Sequence, residues 1–287
     1  MRRALVCVLV VVAVACGHVP GQAGATPSLA PPSPPLAALE RWKDFPAHAS
    51  PRPIIAFGES VESIQPSGFP DNDRKIAWVC GKFVLANGVN LSTTPPSAVS
   101  AGGTAYPAIS SARAYSELMA GRPPGGNPTD CASAPPFAIT AVRLGTAGFP
   151  TDRGTMTLPA WLFAVPEVNA YLGHSAIDPS AYWGGGVSTE GRGVKIAADG
   201  LTLDIAVGNA EPGPCGSDYT ASAAESKTAV AVALRQFPHA ALGANVACPA
   251  SLRISYITVR LKAPLGGRVL VDEQGNPGMV CPETGDC

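Results

Sequence analysis

The chain has 287 residues, enough for one large domain or two small ones. Its formal net charge is −1 and only 14% of its residues are charged, against about 25% in ordinary soluble domains, so it offers no field for nucleic acid or for an anionic membrane surface. Gly 31 and Pro 30 are both high, which favours turns and short strands over long helices.

In chain order, the first element is the apolar run LVCVLVVVAVAC, residues 5–16. It falls short of the roughly 20 residues a bilayer-crossing helix needs. Arg2 and Arg3 supply a positive start and Leu5 to Val14 an apolar centre, which is the layout of a signal peptide over residues 1–15. The run ends in Val12-Ala13-Val14-Ala15-Cys16, which resembles the lipobox of bacterial lipoproteins. That resemblance implies that Cys16 carries diacylglycerol on its sulfur and becomes the first mature residue. It also implies that the chain is exported and meets the membrane through a lipid anchor at the outer face of the cytoplasmic membrane. Two acyl chains hold a protein stably where one does not. An ordinary cleavage after Ala23 or Ala25 is the alternative, and it would release a secreted protein.

Residues 16–52 are rich in Pro, Ala and Ser and read as a disordered tether, interrupted by a short helix around Leu36–Trp42. Extended as polyproline II at ~3.1 Å per residue, such a tether reaches on the order of 100 Å. The folded, extracytoplasmic region is expected over 53–287, as one domain or as sub-domains of about 53–186 and 187–287.

Within it, IAWVCGKFVLAN (76–87), PPFAITAVRL (135–144) and TMTLPAWLFAV (155–165) read as strands, the last turning at Pro166-Glu167 and returning through NAYLGHSAI. A Ser-, Thr-, Gly- and Pro-rich connection over 88–130 holds one helix, Ile109–Met119, which Gly121 is placed to stop in left-handed geometry. In VKIAADGLTLDIAVG (194–208), apolar and polar residues alternate on both sides of Asp199-Gly200, the signature of a hairpin with a type I′ turn. KTAVAVALRQ (227–236) is a strand with Val230, Val232 and Leu234 on one face. LRISYITVRLK (252–262) changes phase near Tyr256–Ile257, which predicts a β-bulge. RVLVDEQGNP (268–277) adds a short strand and a turn. The predicted fold is mostly β: antiparallel, sandwich-like layers stapled by disulfides. LPAWLF and PLGGRVLVD together resemble segments of uncharacterised actinobacterial secreted proteins and lipoproteins, a likeness that implies no activity.

Apart from Cys7 and Cys16, six cysteines remain in an exported chain, and an even number reads as disulfides. Six allow 15 pairings. Pairing sequence neighbours gives Cys80–Cys131, Cys215–Cys248 and Cys281–Cys287. No C-x-x-C pair exists and the His residues are scattered, so no metal site and no cofactor is expected.

No motif names a reaction. GHSAI (173–177) places Ser175 beside His174 but lacks the last Gly of a nucleophile elbow. GGGVSTEGRG (184–193) lacks the Gly-Lys-Ser/Thr ending of a phosphate loop. CPETGDC (281–287) reads as a terminal disulfide ring. Asp130, Asp152, Asp178, Asp204, Asp218 and Glu225 show no spacing that pairs two carboxylates for acid–base work, and His48, His174 and His239 lie in Pro- or Gly-bearing segments. Trp78 and Trp161 fall in apolar strands and are assigned to the core, whereas Trp183, before three glycines, is assigned to the surface. The function read from this is a non-catalytic binding or scaffolding module of the cell envelope, with an envelope protein or wall ligand as partner and no catalytic residues. The alternatives are an extracytoplasmic hydrolase of wall polymer or ester, and a secreted inhibitor or sensor. A deep polar pocket holding two converging carboxylates or a Ser–His pair would count against the non-catalytic reading.

Overall fold

Alternation decides the C-terminal half. Leu203, Ile205 and Val207 are buried while their neighbours are half-buried, as a strand with one core face requires. The structure, a computed structural model, describes residues 30–63, 68–121, 128–186, 188, 193–210, 213, 215–239 and 253–282. The signal peptide, Cys16, Cys248 and Cys287 therefore lie outside the described residues, as does most of the Gly-rich segment after Gly186. No helix among the described residues is long and apolar enough to cross a membrane.

The elements are α1 (Leu36–Glu40), β1 (Ser60–Ser63), α2 (Asn72–Val79), β2 (Phe83–Leu85), β3 (Val99–Ala101), β4 (Thr104–Tyr106), α3 (Ser111–Ala120), α4 (Pro128–Ser133), β5 (Phe137–Ile139), β6 (Ala141–Thr151), β7 (Gly154–Val165) and β8 (Ala170–Ser175). They continue with β9 (Val194–Ile196), β10 (Thr202–Gly208), β11 (Ser217–Glu225), β12 (Ala229–Pro238), β13 (Ile254–Arg260), β14 (Val269–Val271) and β15 (Val280–Pro282). The expected mostly-β architecture with antiparallel sheets is present. β1-β8-β7-β6 form one antiparallel sheet. β13-β10-β9-β15 form a second and β11-β12-β14 a third, with β15 parallel to β9 and β14 parallel to β12.

The second and third sheets face each other across Leu203, Ile205, Val230, Val232, Val259 and Leu270. Each such side chain, once buried, contributes about 1.5–3 kcal/mol. The other face of β12 presents the small Ala229 and Ala231. The room they leave takes Trp42 and Phe45, whose rings meet edge to face 5.8 Å apart. This corrects the expected tether: from Leu36 onward the Pro/Ala-rich segment belongs to the fold. Ala38, Leu39, Trp42, Phe45 and Ala47 are buried, and the Trp42 indole donates to the Gly275 carbonyl at 2.9 Å. Gly267 is packed so tightly on this segment that a Cβ there would overlap the Ala47 carbonyl.

Four local readings change as well. The strand expected over 76–87 is instead α2 followed by the short β2. Asp71 caps α2 by accepting from the Arg74 amide at 2.8 Å, and Gly81, at φ +64°, takes the chain out. Gly121 ends α3 with φ −78°, in right-handed rather than left-handed geometry. The β9–β10 turn is longer than a two-residue I′ turn. Ala197 donates to Thr202, Asp199 accepts from the Leu201 and Thr202 amides, and only Gly200 has positive φ. β13 runs unbulged against β10 from Ile254 to Arg260 and turns Ile254 and Tyr256 outward, where Lys195 lies 5.6 Å from the Tyr256 ring.

Cys80, at the end of α2, is bonded to Cys131 in α4, with Cα atoms 5.5 Å apart. Cys215 and Cys281 are also disulfide-bonded. The pairings expected for them involve Cys248 and Cys287, outside the described residues.

Candidate functional site

β8 alternates between two packed faces. Ala170 and Leu172 point to the core beneath α3, and His174 follows them at the same period. Ser175 points the other way, toward Tyr182. α3 starts at the Ser110 cap, which accepts from the Arg113 amide at 3.2 Å, and buries Ala114 and Leu118 on the sheet. One flank of the helix carries Arg113 and Glu117, a turn apart, over His174. Glu59 precedes β1. The Ser175 amide donates to its carbonyl at 2.7 Å and Ser60 pairs with His174, which brings Glu59 to the same place.

The result is a cluster of Glu59, Glu117 and His174 whose ligand-capable atoms all lie within 4.8 Å of one another. The His174 side chain is 3% exposed. Its Nδ1 lies 2.9 Å from the Ser175 carbonyl. A carbonyl only accepts, so Nδ1 carries the proton and Nε2 is left facing the cluster. Nε2 stands 3.6 Å from Glu117 Oε2, beyond hydrogen-bond reach. Glu117 Oε1 accepts from Arg113 Nε at 2.7 Å, but Oε2 is buried without a hydrogen-bond partner. No donor among the described residues reaches the Glu59 carboxylate. Burial, first, and then the neighbouring Glu117 and Asp178 charges push its pKa above the ordinary 4.5, although His174 and Arg113 oppose them. Arg113 divides itself between Glu117 and Asp178, which it reaches at 2.9 Å. The Asp178 carboxyl is held below its ordinary value, first by hydrogen bonds from Ser180 and then by Arg113. Three carboxylates thus stand against one guanidinium.

Ser175 and His174, adjacent on one strand, point to opposite faces and do not pair. Ser175 Oγ lies 2.6 Å from the Tyr182 hydroxyl and accepts from the Ile177 amide at 3.2 Å. Burial, tempered by that contact to Ser175, pushes the Tyr182 hydroxyl up to about 12. Tyr182 therefore keeps its proton and is no base for Ser175, although either hydroxyl can donate in their contact.

Four of the other candidate acids are occupied. Asp152 is 1% exposed in a bidentate pair with Arg52. Glu225 accepts from Arg268 at 2.9 Å, Asp204 from the Thr258 hydroxyl at 2.7 Å, and Asp218 lies 2.9 Å from His239 Nε2. Asp130 lies in α4, away from these groups in the sequence. His48 is exposed. Trp78 is buried, and Trp161 is half-buried with its indole on the Ile109 carbonyl at 2.9 Å. Trp183, expected at the surface, is half-buried edge-on to Phe45 at 5.0 Å, because the ring of Phe45 gives it an apolar partner. A shallow cavity of about 230 Å³ between Arg143, Leu162, Asn169 and Tyr171 opens on the face of the sheet opposite His174 and holds no acid.

Sequence reasoning missed Glu59 and Glu117. Glu117 had a signal, an Arg113–Glu117 pair at helical spacing on the flank of an amphipathic helix. Glu59 had none, since strand pairing alone brings it to His174.

No protein-family model, no curated protein and no solved structure matches the chain.

Proposed function

We propose that this chain is an envelope-anchored bacterial lipoprotein whose folded region is a non-catalytic binding or scaffolding module. Cys16 holds it at the outer face of the cytoplasmic membrane, where it meets an envelope protein or a wall ligand. The observation that supports the non-catalytic reading is the placement of Ser175. The one Ser–His neighbour pair in the chain is split across a strand, and the serine is engaged by a tyrosine that keeps its proton. Intact mass of the native mature protein tests the anchor. A mass starting at Cys16 plus diacylglycerol is expected; an unlipidated mass starting after Ala23 or Ala25 would make it a released protein. Affinity capture from envelope extract is expected to yield one stoichiometric partner.

The hydrolase reading has one observation in its favour, the convergence of Glu59 and Glu117 beside His174. Ester and glycan substrates discriminate the two. Turnover abolished by Glu59→Gln would decide for the enzyme, and no turnover with the wild-type chain is expected.

A further inference from the structure

Among the described residues, the cluster under α3 differs from the other buried ionic groups in having more carboxylates than guanidiniums. With Nδ1 tied to the Ser175 carbonyl, His174 turns Nε2 toward Glu117 Oε2, 3.6 Å away and itself buried without a hydrogen-bond partner. Two carboxylates converge on that nitrogen, so positive charge belongs between them, as a proton on Nε2 or as a bound cation. The ion pairs agree: Arg113 is shared between Glu117 and Asp178, and no guanidinium among the described residues reaches Glu59.

We propose that Glu59, Glu117 and His174 form a binding site for a first-row divalent cation, of which zinc fits the donors best. Two ligands of a tetrahedral zinc ion stand roughly 3.4 Å apart when metal–ligand bonds are about 2.0–2.1 Å. His174 Nε2 and Glu117 Oε2, at 3.6 Å, are already spaced for it. Glu59, half-buried just before β1, closes the remaining gap by a side-chain rotation. The hydrogen bond from Nδ1 to a backbone carbonyl is the outer contact that fixes a liganding imidazole. Calcium and magnesium are disfavoured, because they take six or more oxygen ligands and leave no role for a buried imidazole. Three protein ligands leave one position open for water or for an acidic group of a partner. The site is independent of the anchoring reading and stands whether or not Cys16 is acylated.

The test is calorimetric titration of zinc into the full chain after chelator treatment. One zinc per chain is expected. Glu59→Gln and Glu117→Gln are each expected to weaken binding at least tenfold with unchanged far-ultraviolet circular dichroism, and His239→Asn, at the exposed pair with Asp218, to leave it unchanged. Substituting buried His174 risks the fold, so the two glutamate variants carry the test. Cobalt supplies a second readout: a visible d–d band in the wild-type chain, lost in Glu117→Gln. No stoichiometric uptake, or uptake undiminished in both glutamate variants, would overturn the proposal and assign the gap to water.

Discussion

Two buried ionic groups in this molecule are built on opposite terms. At the junction of the first sheet with the C-terminal sandwich, Asp152 takes both ends of the Arg52 guanidinium. Its amide donates to Ile55, and its carbonyl accepts from Val280 at 3.1 Å. Arg153 leans on the same carboxylate at 3.7 Å and donates to the Arg268 carbonyl at 2.6 Å. Beneath α3, by contrast, Glu59, Glu117 and His174 converge with an excess of acceptors. A buried group whose carboxylate is fully met by cations fixes how two layers meet. An unbalanced one costs stability unless a ligand completes it, and for that reason it marks a site.

Removing a partner from each group should separate them by sign. Asp152→Asn leaves Arg52 and Arg153 buried without their counter-charge. Breaking such a pair costs about 3–5 kcal/mol, to be read from chemical denaturation; a loss under 1 kcal/mol would show that the junction does not depend on the ion pair. The Arg153 guanidinium, already lowered to about 10, first by burial and then by Arg52, should fall further in that variant.

The packing beside the junction comes next. Gly267→Ala forces a methyl into the Ala47 carbonyl and should cost about 1–3 kcal/mol. An unchanged melting temperature would mean that the 36–52 segment lifts away easily and behaves as the spacer its composition suggests.

Glu225 supplies the pH dependence. Burial works to raise its carboxyl, but the Lys262 amide and then the Arg268 guanidinium outweigh it and hold the pKa below the ordinary 4.5. A depressed carboxylate contributes stability that is present above its unfolded value and is lost as pH falls through the folded one. Denaturation midpoints of the wild-type chain should therefore drop below about pH 4.5, and Glu225→Gln should flatten that drop while lowering stability at neutral pH by about 1–3 kcal/mol. An equally steep acid limb in the variant would assign the loss to other carboxylates.

The smallest effect has the opposite sign. In metal-free protein, Glu59→Gln removes surplus negative charge from the α3 cluster. It should be neutral or stabilising, within about 1 kcal/mol because the side chain is only half-buried. A clear destabilisation would place Glu59 among the structural acids with Asp152.

What could be read from the sequence follows the same division. Val194 to Val207 declare their strands because one side faces a core, and Val230 to Leu234 because the large residues alternate with alanines that fill the other face. Residues 76–79 mislead because the short run Ile-Ala-Trp-Val fits either period, and the Asp71 cap upstream decides for helix. Leu39, Trp42 and Phe45 are hidden by the prolines around them, although their size alone argues for burial. The cluster is legible only in part. His174 stands out through its neighbour Ser175, the wrong partner, since adjacent strand residues face apart. Glu59 and Glu117 arrive by strand register and helix packing, which no local spacing records.

Anomalous diffraction at the zinc edge, from crystals of the full chain grown with zinc, decides whether the α3 cluster is a metal site. One strong peak is expected about 2.0–2.1 Å from His174 Nε2, with carboxylate oxygens of Glu117 and Glu59 completing the shell. Density for a water hydrogen-bonded between His174 and Glu117, with no anomalous signal there, would contradict it.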